Sequence, residues 1–226
     1  HYFLRDPDAG AVTVLLDGED CVGCGPEWSE DQGDAAGAEG IDCRKEGKNM
    51  KYLAHIDGDR EQSVKEHLQG TAELAEKFAA KFRKADWGYC CGMLHDIGKY
   101  SAEFQKKIKE NLDIRVDHST AGAKVCENLD GCYWLLTYCI AGHHAGLPDL
   151  GREGLPSSLL GRLKKRLCDY SAYEKEIEIP QITTPPIAMN PEKDPNFALS
   201  VFIRMLYSCL VDADFLDTEQ FMNNGT

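Results

Sequence analysis

His95 and Asp96 stand side by side, and Ile97-Gly98-Lys99 follow them at once. An imidazole and a carboxylate can ligate a divalent ion, Gly98 is expected to release the chain, and the lysine can reach an anion. Neighbouring side chains on a helix diverge by about 100°, so this pair can serve one metal only if other segments supply the remaining ligands.

Candidates are present. Of the seven histidines, His67, His95, His118, His143 and His144 each fall at a helix end or on an inward helical face, and Asp96 and Asp214 fall similarly. Helix-borne His and Asp converging from separate segments are how an all-helical domain builds a metal centre in its core. Such ligands suit Mn, Fe, Co, Ni or Zn, with Mg weaker at so histidine-rich a site, and there are enough of them for two ions. Each residue alone has a plainer reading: His67 as a hydrogen-bonded core residue, His143-His144 as a helix C-terminus, Asp212 and Asp214 as surface acids. Jointly, five buried histidines without a common purpose would be costly.

The elements that must carry these residues are mostly helical. Ser63 and Glu66 form a capping box, and Val64, His67, Leu68, Thr71, Leu74, Ala75, Phe78 and Phe82 recur at spacings of three and four. A second helix is expected from about Asp86 into His95-Asp96, stopping at Gly98, and a short one from Ser101 to Lys109. Asp117-His118-Ser119-Thr120 opens the next, where Ala121, Gly122 and Ala123 permit close packing, and Tyr133 to His144 is an apolar core helix. Leu159, Leu160, Leu163 and Leu167 predict an amphipathic helix whose other face, Arg162, Lys164, Lys165 and Arg166, is solvated rather than a DNA stripe. Residues 180–195 hold five of the nine prolines and read as irregular. The last helix, Phe197 to about Leu216, is expected to turn Phe202, Met205, Leu206, Cys209, Leu210 and Ala213 inward.

Composition bounds the rest. At 226 residues, with 42% hydrophobic and 28% charged, the chain fits one globular domain with an appendage. No apolar run approaches the roughly 20 residues that span a bilayer, and no secretory signal is evident. Ten scattered cysteines, several inside apolar helical runs, suggest a reduced, cytoplasmic protein; Cys90-Cys91 reads as core filling. A net charge of -13 disfavours a large basic face, so a polyanionic substrate would depend on metal ions for local positive charge. Residues 1–49, with 12 Asp/Glu against 4 Lys/Arg, read as an acidic extension with a strand near Ala11 to Leu16, and the main domain starts at Met50. Cys21, Cys24 and Cys43 could hold zinc, though a lone C-x-x-C is a weak signal, and a redox role would need a βαβ context that is not visible.

The order H…HD…H…HH…D, with His-Asp-Ile-Gly-Lys, D-H-S-x-A-G, A-G-H-H-A-G and Asp212-Ala213-Asp214-Phe215-Leu216-Asp217-Thr218-Glu219, resembles the HD superfamily of metal-dependent phosphohydrolases. More narrowly, residues 50–220 resemble the HD nuclease domain of the CRISPR-associated helicase-nuclease of type I systems. The resemblance implies an all-α helical bundle, here with a small irregular or β-containing N-terminal segment. It implies two divalent ions (Mn, Ni, Co, Fe or Mg), one held by His67, His95, Asp96 and Asp214, the other by His118, His143 and His144, with Asp96 bridging. Lys99 matches the lysine beside the scissile phosphate. Asp214 rather than Asp212 is expected to be the last ligand, because it falls four residues after inward-facing Leu210 and two such residues cannot share a helix face.

The expected activity is metal-dependent single-stranded DNA cleavage in CRISPR interference, with a helicase module and an RNA-guided surveillance complex as partners. Two metals can lower the pKa of a bridging water and neutralise charge on phosphorus without a protein nucleophile. Histidine ligation implies loss of activity below about pH 6, where imidazoles protonate. No G-x-x-x-x-G-K-[ST] phosphate loop occurs, so the chain is expected to be a stand-alone nuclease subunit or, as its ending favours, the N-terminal piece of a longer protein. Rival readings are an HD phosphohydrolase acting on nucleotides or cyclic nucleotides, and a non-catalytic, metal-stabilised helical module.

Overall fold

The computed structural model describes residues 2–5, 12–15, 51–129, 131–188 and 194–223. Cys21, Cys24, Cys43 and Met50 lie outside these. Near the N-terminus β1 (Tyr2–Arg5) pairs antiparallel with β2 (Val12–Leu15), inside the stretch expected to form a strand.

A second hairpin was not anticipated: β3 (Leu53–Asp57) pairs with β4 (Arg60–Ser63), with His55 opposite Gln62. Its turn follows from Asp57-Gly58, since Gly58 takes φ +58°, a conformation glycine adopts without strain. β4 runs directly into α1 (Val64–Ala80), whose capping box is complete: the Ser63 hydroxyl accepts from the Glu66 amide, and the Glu66 carboxylate accepts from the Ser63 amide.

α1 buries Val64, His67, Leu68, Thr71, Ala72, Ala75 and Ala79, and packs against α2 (Ala85–Leu94). The two axes come close because the contact is made of small residues: a Cβ on Gly92 would stand 2.5 Å from the Ala72 Cα. α2 ends at Leu94, one residue before the His-Asp pair, and a 3-10 turn covers Ile97–Tyr100. Gly98 therefore does not release a helix. It sits inside that turn, with no room for a Cβ against the His118 carbonyl, so its small size lets the metal-pair segment lie against the segment that carries His118.

Beyond lie α3 (Ala102–Lys109), α4 (Ser119–Glu127) and α5 (Trp134–Gly142). α6 (Leu159–Leu163) is only five residues long, and the predicted charged face does not form as a unit. Arg162 turns inward instead, where its guanidinium donates to the Ala141 carbonyl, Ser119 Oγ and Thr120 Oγ1. α7 (Pro195–Met222) runs 28 residues, well past Leu216, and starts with Asp194 as cap and Pro195 in the first turn. Its buried stripe is Leu199, Phe202, Leu206, Cys209, Leu210, Ala213 and Asp217; Met205, expected inward, falls off that stripe and is 42% exposed.

Leu68, Trp87, Leu94, Leu136, Ile140, Leu206 and Leu210 form the core shared by α1, α2, α5 and α7. Trp87 packs edge-on against Phe202 at 4.8 Å between ring centroids, and its indole N–H donates to the Thr184 carbonyl. Cys90, Cys91, Cys126 and Cys139 are buried and unpaired, and burial raises the thiol pKa of Cys90, Cys91 and Cys126. Among the described residues no helix is long and apolar enough to cross a membrane.

Candidate metal centre

The start of α1, the end of α2, the start of α4, the end of α5 and the C-terminal half of α7 meet at Asp96. This carboxylate is 1% exposed, and four imidazoles turn an Nε2 toward it. His67 and His95 each stand 3.4 Å from Oδ2, while His143 and His118 stand 3.2 and 3.6 Å from Oδ1. Asp214, one turn beyond Leu210 on α7, places Oδ1 3.3 Å from His67 Nε2 and 3.5 Å from His95 Nε2. Asp212 is exposed, so of the two acids only Asp214 is brought in. His144 meets the cluster through His118, with 2.7 Å between their Nε2 atoms.

These atoms form two groups sharing Asp96: His67, His95, Asp96 and Asp214, and Asp96, His118, His143 and His144. The first is deeper, since His67 and His95 are fully buried while His144 is exposed. Ligands about 2.1 Å from an ion at tetrahedral or octahedral angles lie about 3.0–3.4 Å apart, close to the spacings of 3.2 to 3.5 Å between His67, His95, His143 and the Asp96 and Asp214 oxygens.

Hydrogen bonding supplies the test of fit. His67 Nε2, His95 Nε2, His143 Nε2 and both Asp96 oxygens are buried without a hydrogen-bond partner. Lys99 Nζ lies 2.8 Å from Asp96 Oδ2, as an ion pair without hydrogen-bond alignment. Leaving that many polar atoms unsatisfied would be costly, whereas each points where a cation would accept its lone pair. The opposite ring nitrogens are all engaged. His95 Nδ1 donates to the Gly92 carbonyl, His143 Nδ1 to Ile140 and His118 Nδ1 to Val116, while His67 Nδ1 donates to Asp217 Oδ2 at 2.7 Å. Each bond holds the proton on Nδ1 and frees Nε2, the outer-shell pattern of metal-ligating histidine. The two groups could each hold a metal ion.

Electrostatics agree with a cation site. Burial alone would raise the Asp96 pKa, but Lys99, His95, His118 and His143 hold it well below the carboxylate range. Burial likewise opposes ionisation of Asp214, and the adjacent His67 and His95 reverse the balance and lower its pKa. At His67, burial and Lys99 disfavour a proton, yet Asp214, Asp217 and Asp96 together push its pKa up to about 9. Burial and neighbouring His143 lower His144 to about 4. The centre without metal thus attracts positive charge at its deep end.

Three participants were not foreseen. Asp217 lies in the quoted acidic string, three residues after Asp214 and hence on the same face of α7. Gln62 and His55 come from the β3–β4 hairpin: Gln62 Nε2 donates to Asp217 Oδ2 at 2.9 Å, and His55 Nδ1 lies 2.8 Å from Gln62 Oε1.

Comparison with known families matches residues 64–173 to the HD domain. Among curated proteins, none matches the sequence.

Proposed function

We propose that the HD domain over residues 64–173, completed by Asp214 from α7, is a two-metal phosphodiesterase that cuts single-stranded DNA in CRISPR interference. The observation that carries the hydrolytic reading is Asp96, a fully buried carboxylate with both oxygens free of hydrogen bonds and each faced by imidazole nitrogens. The nuclease reading rests on the sequence resemblance, above all the His143-His144 doublet and the D-A-D-F-L-D-T-E ending.

In this reading His67, His95, Asp96 and Asp214 would hold one ion, and His118, His143 and His144, with Asp96 common to both groups, would hold a second. Two divalent ions would supply hydroxide near neutral pH and screen the charge that builds on phosphorus. The chain's own residues do the rest. Nδ1 hydrogen bonds fix the imidazoles before substrate arrives, so little reorganisation is needed. Lys99, 5% exposed beside Asp96, offers an ammonium to a phosphate oxygen. The more exposed His118–His144 side is where a strand would enter. Because the chain carries a net charge of -13, strand delivery falls to a helicase module or subunit and to a CRISPR RNA-guided complex. A reduced cytoplasmic setting suits the unpaired buried thiols.

The test is cleavage of circular single-stranded DNA by metal-stripped protein with Mn, Ni, Co, Mg or Zn restored, beside Asp96→Ala. Metal-dependent opening of the circle, absent in the folded variant, is the expected result. A circle left intact under every metal removes the nuclease reading, and a nucleotide panel then decides between a nucleotide phosphohydrolase and a non-catalytic module.

A further inference from the structure

We propose that His55 is the positioning residue of Lys99, held in its working tautomer by Gln62 and Asp217. The inference rests on the phosphodiesterase reading for what Lys99 does, though not for how it is held.

Lys99 is a buried cation, and its ammonium meets Asp96 Oδ2 at 2.8 Å, His55 Nε2 at 3.3 Å and the Phe104 ring at 5.7 Å to the centroid. Asp96 cannot be its anchor once that carboxylate serves metal ions, because the ligand's charge is then shared and the ions repel the ammonium. A neutral acceptor aimed at Nζ keeps Lys99 in place, and His55 Nε2 is that acceptor.

The tautomer follows by elimination. Asp217 is a carboxylate, so the Gln62 atom 2.9 Å from its Oδ2 must be the amide NH₂. The Gln62 carbonyl oxygen then faces His55 Nδ1, which must donate, and the lone pair of His55 is left on Nε2 toward Lys99. His55 and Gln62 are cross-strand partners, so the register of β3–β4 sets this bond. The His55 ring also packs edge-on against His67 at 4.7 Å and stacks with Phe221 at 6.2 Å. The same Asp217 oxygen accepts from His67 Nδ1. One carboxylate on α7 therefore fixes the metal-facing nitrogen of His67 directly and the ammonium of Lys99 through two intermediates.

The test uses the full chain loaded with Mn(II), with bis(4-nitrophenyl) phosphate as diester. His55→Phe keeps a ring and removes the acceptor. We expect kcat to fall about tenfold or more with KM within about twofold and bound Mn(II) unchanged. In a Lys99→Ala background the same change should cost nothing further, and His55→Gln, which retains an acceptor, should recover part of kcat. Independently of turnover, 15N NMR of the metal-free wild-type chain should show His55 protonated at Nδ1 and bare at Nε2, and Lys99 should acylate faster in His55→Phe. An additive loss in the double variant, a loss of bound Mn(II) in His55→Phe, or a proton on Nε2 overturns the inference. If the wild-type chain cleaves no diester, the hydrolase reading fails on its own, and the positioning of Lys99 stands or falls on the tautomer and the acylation rate.

Discussion

Asp217 Oδ2 stands 2.7 Å from His67 Nδ1, across the seam between α7 and α1. It reaches that position because the α1 residue facing it is Gly70, where a Cβ would collide with the carboxylate. Gly70 lies three residues after His67, so one turn of α1 presents the imidazole and then the gap that admits its partner.

Outer-shell carboxylates of this kind orient the ligand ring and raise its basicity, and losing one typically costs about 10–100-fold in metal affinity. Asp217→Ala should weaken Mn(II) binding by that amount, measured by calorimetry on metal-stripped protein. Gly70→Ala should act in the same direction without touching a polar group, by displacing the carboxylate. Affinity unchanged in both variants would mean that His67 does not depend on Asp217 for its orientation.

Metal removal should loosen the folded chain. Four buried imidazole and carboxylate groups converge on a space where a cation would relieve their unmet lone pairs. Ligand that binds the native state stabilises by about 2.7 kcal/mol at 100 times Kd. For a chain of this size that corresponds to about 5–10 °C in Tm. Adding Mn(II) to chelator-treated protein should produce such a rise, and Asp96→Ala should abolish most of it. Identical melting with and without metal would count against both ligand groups.

Away from the centre, Asp86 ties the start of α2 to the irregular segment: Oδ2 accepts from the Thr183 and Thr184 amides at 2.8 and 2.7 Å, and Oδ1 from Thr184 Oγ1 at 2.7 Å. Burial works to raise its pKa, but the bonds from Thr184 and Thr183 outweigh it, and the net shift is downward from 3.8. A depressed carboxyl pKa contributes stability that is present above the unfolded value and lost as pH falls through the folded one. Asp86→Asn should therefore lower Tm at pH 7 by about 2–4 °C, corresponding to about 1 kcal/mol of charge-assisted hydrogen bonding. The gap should close as pH is taken below 3.8. A gap that persists into acid would place the effect in packing.

The helices, the α1 cap and the inward histidines were legible because they rest on local signals: spacing of three and four, and Ser-x-x-Glu. His55, Gln62 and Asp217 were not assigned, because their roles depend on partners 7 to 155 residues away. Even so, Asp57-Gly58 between two short apolar or polar-alternating runs was a readable hairpin signal. Asp217 carried a weaker one: its spacing of three from Asp214 puts both acids on one face, but only Gly70, on another helix, makes room for it. Gly98 shows the same limit, since a glycine after a helix reads as a stop while its actual constraint is the His118 backbone. Arg162 looked solvated for a similar reason, because nothing in a five-residue helix tells which side of it will meet α4.

Arg162 yields the prediction that separates the two metal groups. Its guanidinium joins the N-terminus of α4, through Ser119 Oγ at 2.9 Å and Thr120 Oγ1 at 3.3 Å, to the C-terminal end of α5 at the Ala141 carbonyl. Those two ends carry His118 on one side and His143-His144 on the other. His67, His95 and Asp214 are held by α1, α2 and α7 and make no contact with this arginine among the hydrogen bonds above. Replacing Arg162 by Met retains much of the apolar stem and removes the clamp, at a cost of about 1.5–3 kcal/mol for hydrogen bonds to a charged group. The His118–His143–His144 group should lose its ion first, so that bound Mn(II) falls from about two per chain toward one, and diester cleavage falls with it. The remaining ion should bind with near wild-type affinity. Equal weakening at both groups would show that the α4–α5 junction does not act on one ion separately, and that the arginine supports the core as a whole.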